Sequence, residues 1–183
     1  MKKIAIISGS IRKNRQSHKI ALFFDRYITE MQLAQSEIID LKELNFPIVE
    51  ERLALTENPT QNQLLFSAKI FEADAVIIVS PEYNGSYPAA LKNAIDMLGK
   101  EWLHKPVGIV TVSSGVFGGV NVNALLQILF TRLKALVVTA SFPVPNVHQA
   151  FDEQGIPVDK ESIYKRAESF LSEVLWFTEK FNS

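Results

Sequence analysis

The sequence contains no cysteine. Disulfides, thiolate nucleophiles and cysteine-ligated metals are therefore excluded. Histidine is scarce: only His18, His104 and His148 occur, and they stand in no metal-ligand spacing. His104 and His148 read as surface or capping residues. Neither sign of charge dominates, with 19 Lys and Arg against 20 Asp and Glu and a net charge of −1. No block of like charge exists, which argues against nucleic acid or an anionic membrane as a main partner. No apolar run approaches the roughly 20 residues of a membrane span. The run Ile4-Ala5-Ile6-Ile7 after Lys2 and Lys3 is too short for a signal-peptide core. A soluble cytoplasmic protein is the expectation. Glu50-Glu51 and Asp152-Glu153 read as solvated loop charges rather than paired catalytic carboxylates. Ser113-Ser114 lacks the Gly-x-Ser-x-Gly elbow of a hydrolase.

What is present is an alternation of short apolar runs and amphipathic stretches across 183 residues, a length that suits a single domain over 1–183. Lys3 to Ile7 reads as a buried strand. After a polar loop, Ile20, Phe23, Phe24, Tyr27, Ile28 and Met31 form a helical stripe, with Ser17 as a plausible N-cap. Glu37 to Leu41 reads as a second, edge strand. Residues 42–59 form a long connection with Pro47 and Pro59. Thr60-Gln61-Asn62-Gln63 has the form of a capping box, and the helix behind it is expected to turn Leu64, Leu65, Ala68 and Phe71 inward.

Ala75-Val-Ile-Ile-Val79 is a continuous β-branched run, as in a strand buried on both faces. The helix after Pro88 carries Leu91, Ala94, Ile95 and Leu98 as one stripe, and Gly99 ends it. Trp102 and Leu103 are expected to pack over that end. Val107 to Val112 is a fourth strand and Leu136 to Ala140 a fifth. The helix between them, Asn121 to Lys134, is apolar nearly all round. Its extra face is covered either by a second subunit or by the C-terminal segment. The last helix carries Ile163, Ala167, Phe170, Val174, Phe177 and Phe181 on one face.

Five strands alternating with five helices imply an α/β fold with a parallel sheet and right-handed crossovers. The common order for five such strands is 2-1-3-4-5, which makes strands 1, 3 and 4 neighbours. The three polar loops of the chain follow those three strands and would meet at the topological switch point. The first loop, Ser8 to His18, ends at a helix N-terminus and carries Arg12 and Arg15, a combination suited to an anion. It has no Walker Gly-Lys-Ser/Thr ending and no Gly-x-Gly-x-x-Gly. Arg15 reads either as a phosphate contact or as a solvated charge. The third loop, Ser113 to Gly119, holds three glycines in five residues, which lets backbone approach a flat ligand. A phosphate tail joined to a planar ring is the matching cargo.

The string Pro81-Glu82-Tyr83-Asn84-Gly85-Ser86, followed by Ala89-Ala90-Leu91-Lys92-Asn93-Ala94-Ile95-Asp96, resembles the signature of the NADPH-dependent FMN reductase family. Gly9-Ser10 with Arg12 resembles that family's phosphate loop. The resemblance implies a flavodoxin-like three-layer α/β/α sandwich and an FMN cofactor. It implies Ser10, Arg12, Arg15, Ser17 and the backbone near His18 at the phosphate. Pro81, Glu82, Tyr83, Asn84, Gly85 and Ser86 would edge the ring, partly through backbone groups. Ser114, Gly115, Phe117 and Gly118 would close its other side. No catalytic side chain and no metal are expected, because flavin N5 carries the hydride. The implied reaction is ping-pong: NADPH or NADH reduces the flavin, and a quinone, azo compound, metal oxyanion or free flavin accepts the electrons. A homodimer or tetramer is implied as well. The alternative is a flavodoxin-type electron carrier that oxidises no NAD(P)H itself. Against it stand Arg12 and the near-neutral charge.

Overall fold

The computed structural model describes residues 1–181; residues 182 and 183 of the expected domain lie outside the described residues. Five parallel strands, β1 (Lys3–Ser8), β2 (Gln35–Asp40), β3 (Ala75–Pro81), β4 (Pro106–Val112) and β5 (Leu136–Val144), form one sheet in the order β2-β1-β3-β4-β5. Register runs Ile6 to Ile77 and Ile77 to Gly108 across the centre. β1, β3 and β4 are therefore adjacent, as the alternation implied. Every residue of β3 and β4 is buried, because both faces of the sheet are covered.

The period-2 alternation of the strands splits the core in two. Ile4, Ile6, Ile77 and Val79 face α1 (Ser17–Glu30) and α7 (Lys160–Phe181). Ala5, Ile7, Val76 and Ile78 face α3 (Gln61–Glu72), α4 (Ala89–Met97) and α5 (Val120–Arg132). The result is the three-layer α/β/α sandwich. Gly108 is required by this packing: a Cβ there would lie 2.8 Å from Phe170 Cζ on α7.

Several local expectations are corrected. Helix α3 has its Thr60–Gln63 capping box, but its buried face is Gln63, Phe66 and Ile70. Leu64, Leu65 and Phe71 are exposed. The stripe is set by the Phe66–Ile70 pair, one helical turn apart, which locks under Phe46 and the sheet edge. The connection after β2 is not structureless: Leu41–Leu44 forms a short helix, α2, and Leu53–Leu55 a 3-10 turn. Strand β5 runs on through Pro143, which an edge strand tolerates because no neighbour needs its missing N–H. Helix α5 buries Val122, Leu126 and Phe130 and leaves Ile128 exposed. Helix α7 docks through Ile163, Ala167, Phe170 and Val174, while Phe181 is exposed. Trp102 is buried and donates from Nε1 to the Ile95 carbonyl, over the end of α4.

Candidate functional site

The loops after β1, β3 and β4 meet at the carboxyl ends of their strands. Between them lies an open cleft of about 200 Å3. The first loop contributes Arg12, Asn14, Arg15, Gln16 and Ser17; the second Pro81, Glu82 and Tyr83; the third Ser113 and Ser114. The convergence expected from strand order is therefore present.

The first loop is held by side chains. Arg15 makes a two-point ion pair with Asp40 at the end of β2 and donates 2.8 Å to the Ser10 carbonyl. Both partners are nearly buried, with side chains 10% and 6% exposed. Asp40 also accepts from the Lys42 backbone N–H and stands 3.7 Å from His18 Nδ1. That nitrogen lies 3.1 Å from Ser8 Oγ. Burial, reinforced by the Arg15 charge, pushes the His18 pKa below its ordinary 6.5, with Asp40 pulling the other way. Arg15 thus borders the cleft with its charge already matched. Arg12 is different: its guanidinium carbon sits 3.5 Å above the centre of the Tyr83 ring, a cation–π contact. Tyr83 OH and Ser10 Oγ are 2.7 Å apart. The first and second loops are latched by this pair of contacts.

Helix α1 begins at Ser17 itself. Gln16 occupies the cap position in a helical conformation and makes no capping bond, so Ser17 is not the N-cap. Ser17 Oγ is buried with no hydrogen-bond partner among the described residues, and Gln16 Oε1 shares that condition. A buried hydroxyl without a partner costs about 1–3 kcal/mol. The Ser17 hydroxyl, which can donate, forms with the bare helix N-terminus and the neighbouring Arg12 a seat for an anionic group.

The second loop is a tight reversal. Tyr83 and Ser86 exchange backbone hydrogen bonds of 2.8 and 3.0 Å. Asn84 and Gly85 at its tip both take positive φ, +51° and +77°, the pattern of a type I′ turn. Glu82 borders the cleft, but its carboxylate is engaged at the start of α5. Its carboxylate accepts from the Asn121 and Val122 backbone N–H groups at 3.1 and 3.2 Å and from the Asn121 side chain at 3.0 Å. It caps α5, which has no capping side chain of its own.

The tip of the third loop is open. Phe117 is 79% exposed, and a Cβ at Gly115 would meet nothing within 4 Å. Gly118 packs on Pro143, and its carbonyl accepts from Thr111 Oγ1 at 2.6 Å. Of the expected ring contacts, Pro81, Glu82, Tyr83 and Ser114 border the cleft. Asn84, Gly85, Ser86, Gly115, Phe117 and Gly118 lie in its rim loops without lining it. Sequence reasoning missed Asp40, Gln16, Ser113, Val147 and His148. No metal-holding group of His, Cys, Asp and Glu occurs among the described residues, and no helix there is long and apolar enough to cross a membrane.

The cleft and its rim fit FMN: a cationic, hydroxyl-bearing seat for a phosphate inside, and glycine-rich loops at the rim. Comparison with known proteins agrees. Residues 2–149 match the model of the NADPH-dependent FMN reductase family. The NAD(P)H-dependent FMN reductase LOT6 of Saccharomyces cerevisiae is 33% identical over 149 residues, covering 74% of this chain and 77% of that protein. A quinone reductase of Pseudomonas putida is 28% identical over 171 residues, 90% and 89% of the two chains. Among solved structures, the flavoenzyme NAD(P)H:(acceptor) oxidoreductase FerB of Paracoccus denitrificans aligns with a TM-score of 0.80, at 25% identity and over 99% of each chain.

Proposed function

Because the chain belongs to the NADPH-dependent FMN reductase family, we propose that it passes electrons from NAD(P)H to a small acceptor of the quinone type by a ping-pong route. It is an oxidoreductase that uses FMN and NAD(P)H. FMN held here would supply the redox chemistry, hydride transfer between NAD(P)H and the acceptor. The protein binds, orients and shields.

In this reading Ser10, Arg12, Ser17 and the backbone at His18 hold the phosphate. Arg15 shapes their loop from behind through Asp40 and the Ser10 carbonyl. The backbone of the second loop and Tyr83 edge the ring, with Asn84, Gly85 and Ser86 forming the turn beside it. Ser114, Gly115 and Gly118 supply the opposite wall, and Phe117 reaches over the mouth. NAD(P)H and the acceptor use that mouth in turn. A homodimer in the cytoplasm belongs to the same reading, with exposed Val120 and Ile128 on α5 as the contact face. The observation that carries the cofactor assignment is the buried, unpartnered Ser17 Oγ at the bare N-terminus of α1, opposite two other loops of the cleft.

The test is an absorbance spectrum of the protein loaded with FMN and desalted, followed by NADPH without oxygen. Flavin bands that are retained and bleach on NADPH addition are the expected result. Bands retained but untouched by NADPH and NADH would make the protein a carrier in need of a separate reductase. No retained flavin would overturn the cofactor assignment.

A further inference from the structure

The cleft has a fourth wall, and the three-loop scheme leaves it without a role. After β5 the chain turns at Asn146, whose φ is +47°, and enters the single-turn helix α6 (Val147–Ala150). This segment is stitched to the third loop by backbone hydrogen bonds. Ser113 N donates to the Val144 carbonyl at 3.0 Å, Asn146 N to Gly115 at 3.0 Å, and Val147 N to Ser113 at 3.2 Å. Val147 is 1% exposed and anchors the turn in the core. The next residue, His148, is exposed and faces the cleft together with Gln16 and Ser17. Its Nε2 lies 3.3 Å from Ser114 Oγ. Nδ1 has no hydrogen-bond partner among the described residues.

We propose that His148 is a cofactor contact at the phosphate end, supplied by the loop after β5. The inference rests on the FMN reading. The buried Ser17 hydroxyl, unpartnered and able to donate to an anion, borders the same space. Ser17 and His148 line one small cleft of about 200 Å3, so a group that satisfies Ser17 lies in the space that His148 borders. The local charge favours an anion there. Of the two arginines that line the cleft, Arg15 is paired with Asp40, while Arg12 has no carboxylate partner among the described residues. The two nearby carboxylates are already matched: Asp40 by Arg15, and Glu82 by the N-terminus of α5. With Ser114 fixing one ring nitrogen, the other donates to a phosphate oxygen, a charge-assisted bond.

The experiment is an equilibrium titration of FMN and of riboflavin, followed by quenching of flavin fluorescence, on the wild-type protein and on His148→Ala and His148→Gln. His148 is exposed, so both variants should keep the thermal unfolding midpoint of the wild type. His148→Ala should weaken FMN about tenfold, as loss of a hydrogen bond to a charged group does. Riboflavin, which has no phosphate, should change less than twofold. His148→Gln, which retains a donor, should fall between. Equal weakening of both flavins would move His148 to the ring or ribityl region and overturn the inference. So would unchanged affinity for both. A wild-type protein that binds neither flavin would instead overturn the FMN reading on which the inference stands.

Discussion

The two ends of the cleft are built on different principles. The first loop is wired by side chains: Arg15 to Asp40, Arg15 to the Ser10 carbonyl, Ser10 to Tyr83, Arg12 on the Tyr83 ring. The third loop is held mainly by main-chain bonds to the segment after β5 and, through Glu82, by the anchorage of the helix that follows it. Its outermost side chain, Phe117, touches little. A phosphate has one size, one charge and one required geometry, so the end that receives it can be fixed before binding. In the proposed ping-pong reading the ring end serves NAD(P)H and then an acceptor of another shape, so slack there would cost little and admit both.

The largest effect that would test this contrast is at Asp40. Asp40→Asn leaves the Arg15 guanidinium buried without its counter-charge. Removing one partner of a buried pair typically costs about 3–5 kcal/mol, and urea unfolding of the apo protein measures it. FMN affinity should fall with it, because the Ser10 carbonyl loses its brace. A loss under about 1 kcal/mol would mean the first loop is not pinned by this pair. A smaller effect is expected at Glu82. Glu82→Gln keeps the shape but removes the negative charge at the start of α5, worth about 1 kcal/mol as cap and dipole partner. FMN and riboflavin should then weaken by the same factor, since the change reaches only the ring end. Selective loss of FMN would erase the distinction between the two ends.

The same contrast explains what could be read from the chain before its structure. Strand runs such as Val76 to Val79 and the alternation of elements are local patterns, and they were enough for the sheet order and for the meeting of three loops. The Thr60–Gln63 box was legible for the same reason. The phase of α3 was not, because Leu64, Leu65 and Phe71 make as good a stripe as Phe66 and Ile70 until the sheet chooses. The partners that build the site lie far apart in sequence. Arg15 and Asp40 are 25 residues apart, Glu82 and Asn121 39, and Ser114 and His148 34. No periodicity carries such pairings. Arg15 read either as a phosphate contact or as a solvated charge, because its partner Asp40 sits at the end of another strand. The capping role of Glu82 was not legible, because the helix it caps begins 38 residues later.

The smallest effect on stability, and the sharpest on function, is expected at Phe117. Its side chain is 79% exposed, so Phe117→Ala should change unfolding free energy by less than about 0.5 kcal/mol. FMN affinity should stay put as well, since the phosphate seat and the second loop are untouched. If Phe117 reaches over the mouth that both substrates share, its loss removes an aromatic surface on which a quinone packs. The acceptor KM should rise severalfold in steady-state assays, with the parallel-line pattern of a ping-pong scheme preserved. An unchanged KM for a quinone, together with an unchanged KM for NADPH, would show that the third loop contributes only its backbone. The slack of the ring end would then be empty space rather than an adaptable wall.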